Sequence, residues 1–155
     1  MLLHFDDLDS ETSALVESSL PASATDFVRL VGLSKTLAMC NAYGGTEISF
    51  PKQKDGLGAA HFARLAEVIG AEAVRRLAAE YSQEIVYIPR CLRAMQALRR
   101  RQIILDYDEL LSKTSARQAA NQLAIRYRTS SRSIEIIVNG EKRKGHGRQS
   151  TEDNT

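Results

Sequence analysis

"ANQLAIRYRTSSRSIEIIVN", residues 120 to 139, admits two readings, and the choice between them decides the fold of the C-terminal half. On the first, it is a pair of helices joined by a tight turn. Such a motif needs a small residue where the helices cross, apolar residues on both inner faces and few residues between them. Leu123 and Ala124 supply the crossing, Tyr127 ends the first helix, and "RTS" (128–130) makes the turn. Ser130 caps a second helix in which Ile134 and Ile137, ten and thirteen positions after Ala124, face inward. Two positions depart from the usual pattern. Arg128 stands where glycine is commonest, because the residue there often needs a positive φ, and Thr129 replaces an aliphatic residue. On the second reading "SIEIIV" (133–138) is a strand, since it alternates and is rich in β-branched residues.

If the second helix forms, Ser131, Arg132, Glu135 and Ile136 occupy its outward face. In the major groove of double-stranded DNA, Arg132 can bond a guanine edge, Glu135 can accept from a cytosine amine and Ile136 can touch a thymine methyl. Arg126, Arg128, Lys142, Arg143 and Lys144 are cast as phosphate contacts, which position a protein without reading sequence. The charge distribution fits a polyanionic partner. The net charge is only +2, yet residues 1–28 hold six acids and no Lys or Arg, whereas residues 89–148 hold fourteen Lys/Arg against five acids, a balance of +9. Two solvated faces of unlike sign are the plainer account of the same asymmetry.

Upstream lies an internal repeat. With a shift of 38 residues and no gap, "LVGLSKTLAMCNAYGGTEISFPK" (30–52) overlays "VIGAEAVRRLAAEYSQEIVYIPR" (68–90). Gly32 falls on Gly70, Tyr43 on Tyr81, Pro51 on Pro89 and Lys52 on Arg90. Each copy reads as helix, glycine stop, helix and short strand, the strand closed by proline and a cation. Ile48 and Phe50 fall on Val86 and Ile88, so the same strand face is apolar in both. A lone strand leaves its N–H and C=O groups unpaired, so the two strands are natural partners, within one chain or between two.

The other segments predict helices: 10–18, weakly amphipathic and acidic; 26–31, capped by Thr25 and ended by Gly32; 34–43; and 57–69, with Leu57, Phe62, Leu65 and Ile69 in register after the turn "KQKDG" (52–56). A long basic helix begins at Pro89, with Leu92, Met95, Leu98 and Ile103 on one face and the cluster Arg99 to Arg101 spread round it. His61 reads as a packed or surface histidine. Asp106, Asp108 and Glu109 are the dense carboxylate group of the basic half, and helix N-capping by Asp106 or Asp108 accounts for them without catalysis. No nucleophile–base pair, phosphate-binding glycine loop or metal-ligand spacing is present, so the chain reads as a non-enzyme that needs no cofactor. Cys40 and Cys91 lie far apart without Cys or His neighbours, which predicts buried reduced thiols. No apolar run approaches membrane-spanning length, and "MLLHF" gives way at once to acids, so a soluble, cytoplasmic protein is expected.

"AYGGTEISFPK" and "EYSQEIVYIPRC", followed by a basic helix and a C-terminal helix-turn-helix, resemble the Mor/C family of phage transcription activators over roughly residues 28–140. The resemblance implies a mainly α fold: a helical dimerisation core with two short β-strands, then a helix-turn-helix. With it, the chain is expected to divide into an acidic N-terminal segment (1–27), a helix–strand repeat serving dimerisation (28–105), a helix-turn-helix DNA-binding domain (106–140) and a basic tail read as disordered from its composition (141–155). The resemblance also implies a homodimer that recruits host RNA polymerase to middle or late phage promoters, in the cytoplasm of a bacterial cell. Ile85, Val86, Tyr87 and Ile88 would then belong to the dimer core, with Tyr81 on the helix before them. The weaker copy at 30–52 and the Arg128 turn depart from the family pattern. The competing expectation is an adaptor or inhibitor whose basic face meets an acidic protein.

Overall fold

The computed structural model describes residues 3–52, 56, 58–82 and 84–149, with side chains to residue 144. Within these lie eight helices and two three-residue strands: α1 (Ser10–Ser18), α2 (Ala22–Val31), α3 (Leu33–Tyr43), β1 (Thr46–Ile48), α4 (Ala59–Ile69), α5 (Ala71–Tyr81), β2 (Val86–Ile88), α6 (Leu92–Leu111), α7 (Ala116–Arg126) and α8 (Ser131–Gln149). The fold is mainly α, as the sequence predicts. His4–Ala97 form one compact unit and the chain from Leu98 forms another, so the division falls inside α6 and not at 105/106. Residues 4–27, expected as a distinct acidic segment, carry α1 and the start of α2 and belong to the first unit.

The repeat governs the first unit. The 38-residue shift maps α3 onto α5 residue for residue and α2 into α4. Gly32 (φ 87°) and Gly70 (φ 85°) play one part in both copies: each N–H closes the preceding helix, on Val28 and Ala66 at 2.8 Å, and each carbonyl opens the next, to Thr36 and Val74 at 3.2 Å. A side chain at that positive φ would be strained. α2 packs on α3 and α5, and α4 packs on α3 and α5, so the two helix pairs interlock. β1 and β2 pair antiparallel with Ile48 opposite Val86, the residues that the shift makes equivalent. Equivalent residues meet across an antiparallel ladder when the repeats are related by a two-fold axis. The strands thus find their partners inside the chain.

Phe27, Leu37, Met39, Phe50, Leu65, Val74, Leu77 and Ile88 fill the core of this unit, all at most 2% exposed. Burying each such side chain is worth about 1.5–3 kcal/mol, which secures the short ladder. Tyr81 packs on Phe27 and Phe50, ring centroids 5.8 and 5.9 Å apart.

Several boundaries differ from expectation. α2 begins at Ala22, behind Pro21, so Thr25 sits inside the helix and does not cap it. α6 begins at Leu92 and not at Pro89: Cys91 takes a left-handed φ of 52° and its carbonyl accepts the first helical bond, from Met95 at 2.9 Å. Pro89 and Arg90 are held instead against Gly44, where a Cβ would lie 2.9 Å from Arg90 Cα. Leu92, placed inward by the periodicity, is 60% exposed, whereas Ala94, Leu98 and Ile103 are buried. The "KQKDG" turn and Leu57 fall largely or wholly outside the described residues.

Candidate nucleic-acid interface

The second unit is built on one apolar cluster. Ile103 and Tyr107 of α6, Ala119, Ala120, Leu123 and Ala124 of α7, Tyr127, and Ile134 and Val138 of α8 are buried together, with Leu110 and Ile137 packed against them. The alanines of α7 let the neighbouring helices approach closely, and Ile134 and Val138 repeat at i, i+4 on the inner face of α8. "SIEIIV" is therefore helix, since the strand alternative would turn Ile134 and Ile137 away from one shared face.

The turn is made of named bonds. Thr129 N–H reaches Ala124 O at 2.9 Å, and Arg128 takes φ 51°, the left-handed conformation for which glycine is usual. Ser130 Oγ accepts from Ser133 N–H at 3.1 Å and caps α8, while Ser115 Oγ caps α7 from Gln118 N–H at 3.2 Å. Arg99 Nη2 donates to Tyr127 O at 3.0 Å, tying α6 to the end of α7.

Asp106 has a part that the sequence did not disclose. It lies within α6, so it caps no helix; its Oδ2 accepts from Tyr127 Oη at 2.6 Å and pairs with Arg126 at 3.3 Å. Burial, then the bond to Asp106, pushes the Tyr127 phenol well above the ordinary tyrosine range. The carboxylate thereby holds both residues that close α7.

Outward from this cluster, Arg132, Glu135 and Ile136 stand exposed on the first turns of α8, with Ile136 61% exposed, and Ser131 is half-buried at its start. Lys142, Arg143 and Lys144 are exposed on the same helix. This corrects the expectation of a disordered tail for residues 141–149, because the helix-favouring run Glu141–Lys144 carries α8 past Gly140; residues 150–155 lie outside the described residues. Arg128 is exposed in the turn, and Arg126 is exposed but engaged by Asp106. The residues expected to read DNA therefore share the outer side of one helix, and those expected to hold phosphate flank it.

The residues assigned to dimerisation divide. Ile88 is fully buried, Tyr81 packs on Phe27 and Phe50, and half-buried Val86 faces Ile48, all within one chain. Ile85 and Tyr87 are 75% and 54% exposed.

The second unit thus presents a basic, exposed helix backed by one apolar cluster. Residues 58–152 match the Mor transcription activator family, and the chain belongs to that family. That family is one of transcription activators and not an enzyme class. No curated protein and no solved structure matches the chain. Among the described residues, no helix is long and apolar enough to cross a membrane.

Proposed function

We propose that this protein is a sequence-specific activator that binds double-stranded DNA through α7, the turn and α8 as a helix-turn-helix, and recruits host RNA polymerase to middle or late phage or prophage promoters in the bacterial cytoplasm. The observation that carries this reading is the outer face of α8, where Arg132, Glu135 and Ile136 stand clear of solvent-excluded neighbours while Ile134 and Val138 fix the helix from behind. A guanidinium, a carboxylate and an apolar side chain on one face can discriminate base edges. Lys142, Arg143, Lys144 and Arg128 supply the sequence-independent attraction.

Selection of bound duplexes from phage or bacterial DNA, followed by Arg132→Ala, tests it. The variant should lose about 1–3 kcal/mol at the selected site and little on random DNA, because a bidentate base contact adds discrimination and little general affinity. Equal losses on both would make Arg132 a phosphate contact. No enrichment of any duplex would favour the adaptor reading, with an acidic protein as the partner.

A homodimer would place two reading helices on half-sites about one DNA turn apart. Its contact is assigned to the exposed face of β2, Ile85 and Tyr87, since Tyr81, Val86 and Ile88 are used inside the chain. The two-fold register of β1 and β2 supports a second arrangement, a monomer whose first repeat stands in for the other subunit.

A further inference from the structure

We propose that Cys40 and Cys91 form a reversible dithiol, which a hydroperoxide converts into an intrachain disulfide that locks the two repeats together. The inference stands apart from the DNA-binding reading. The two residues are 51 positions apart, yet their Sγ atoms lie 3.3 Å from each other. Both are free thiols and both are buried, 3% and 5% exposed. A disulfide needs about 2.05 Å between the sulfurs, so side-chain motion of roughly 1.2 Å would close the pair.

Cys91 has the features of the attacking member. It holds a left-handed φ of 52°, a conformation that a glycine would hold more cheaply, at the point where β2 gives way to α6. It also lines a cavity of about 520 Å³ between the Ser18–Pro21 turn and Arg90 to Arg93, ample for a hydroperoxide. Cys40 lies behind it, on the last turn of α3. Once Cys91 has lost its proton, the Cys40 thiol donates to its sulfur. That hydrogen bond holds Cys91 below the ordinary thiol range and, together with burial, pushes Cys40 up.

The chemistry balances with the peroxide as oxidant. The Cys91 thiolate attacks the terminal oxygen, the O–O bond breaks, and a sulfenic acid forms; the departing oxygen takes back the proton that Cys91 released and leaves as water from hydrogen peroxide, or as an alcohol from an organic hydroperoxide. Cys40 sulfur then attacks the sulfenic sulfur; the S–S bond forms, the S–O bond breaks and water leaves with the Cys40 proton. Two thiols are oxidised and one peroxide is reduced. The new bond joins the end of α3 to the start of α6, beside the close approach of Gly44 to Arg90. In a reducing cytosol it is transient, as befits a sensor.

The full-length, folded protein should be treated with a slight molar excess of hydrogen peroxide, alkylated and mapped by mass spectrometry without reduction. The expected result is a chain lighter by two hydrogens, with Cys40 and Cys91 in one cross-linked peptide pair, and both thiols recovered with dithiothreitol. In Cys40→Ser the sulfenic acid on Cys91 should persist and be trapped by dimedone. In Cys91→Ser the remaining thiol, Cys40, should react more slowly than Cys91 does in Cys40→Ser, because Cys91 lines the cavity and Cys40 does not. Two thiols that alkylate in the folded wild type as before treatment would overturn the proposal. So would disulfides formed only between chains or only in urea, and the wild-type measurement holds whether or not either serine variant folds.

Discussion

Tyr127 shows how one residue can close a helix and anchor a unit. Its hydroxyl gives Asp106 a 2.6 Å bond and its carbonyl accepts from Arg99. Tyr127→Phe should cost about 1–2 kcal/mol, the worth of a hydrogen bond to a charged, half-exposed group. The variant should also change the alkaline limb of stability. Burial and Asp106 raise the phenol in the folded chain, so the folded state keeps a proton that the unfolded state releases near pH 10. The contribution is therefore complete below about pH 10 and is lost as pH rises through the folded value. Urea unfolding at pH 8 and pH 11 checks the sign: wild type should lose more stability between them than Tyr127→Phe, and parallel losses would contradict it. Little of this was legible in the sequence. Asp106 stood out as part of a carboxylate group, but N-capping explained it cheaply, and only the packing of α6 against α7 brings it to Tyr127. Arg128 was legible in part, because its place in the turn marks the position that needs a positive φ, and the chain accepts that strain without glycine.

At the scale of elements, local propensity and tertiary burial pulled "SIEIIV" in opposite directions. A cap at Ser130 and the burial of Ile134 and Val138 on one helical face settle it as helix. The spacing from Ala124 to Ile134 foretold this, because it encodes a crossing of two helices and not the period of either. The length of α8 was not legible, since Gly140 and the cation run read as the end of structure. That length changes the part expected of Lys142, Arg143 and Lys144, which are carried on the helix itself and not on a disordered tail. Replacing all three with alanine should weaken binding to every duplex and flatten the dependence of log K on log salt by up to about three units. An unchanged slope would remove them from the phosphate contacts. Pro89 misled in the opposite direction: proline suits the first turn of a helix, but Pro89 and Arg90 pack closely on Gly44 and α6 begins only at Leu92.

At the scale of the whole molecule, the repeat is the feature that the sequence disclosed most fully. Its shift of 38 residues foretold matched helices, matched glycine breaks and paired strands, and the pairing of Ile48 with Val86 adds the two-fold relation between the copies. The family match begins at residue 58, so it covers the second copy and the second unit while α2, α3 and β1 lie outside it. Whether strands pair within or between chains could not be read from sequence, because the same ladder satisfies both. Sedimentation at micromolar concentration separates the two assemblies. A dimer that Tyr87→Asp converts to monomer fits the exposed face of β2, whereas a monomer that binds its site tightly makes the first repeat the stand-in for a subunit. Beneath either assembly stands the claim that the basic helix α8 and its flanks meet DNA. Its most direct test is the salt dependence of binding to duplex DNA by the full-length protein. Five cations, Arg126, Arg128, Lys142, Arg143 and Lys144, at about 0.9 counterions each predict a log–log slope of about −4.5 per chain, or about −3.6 if Arg126 stays with Asp106. A slope near zero, or no binding at low salt, would contradict the account and assign the basic face to an acidic protein.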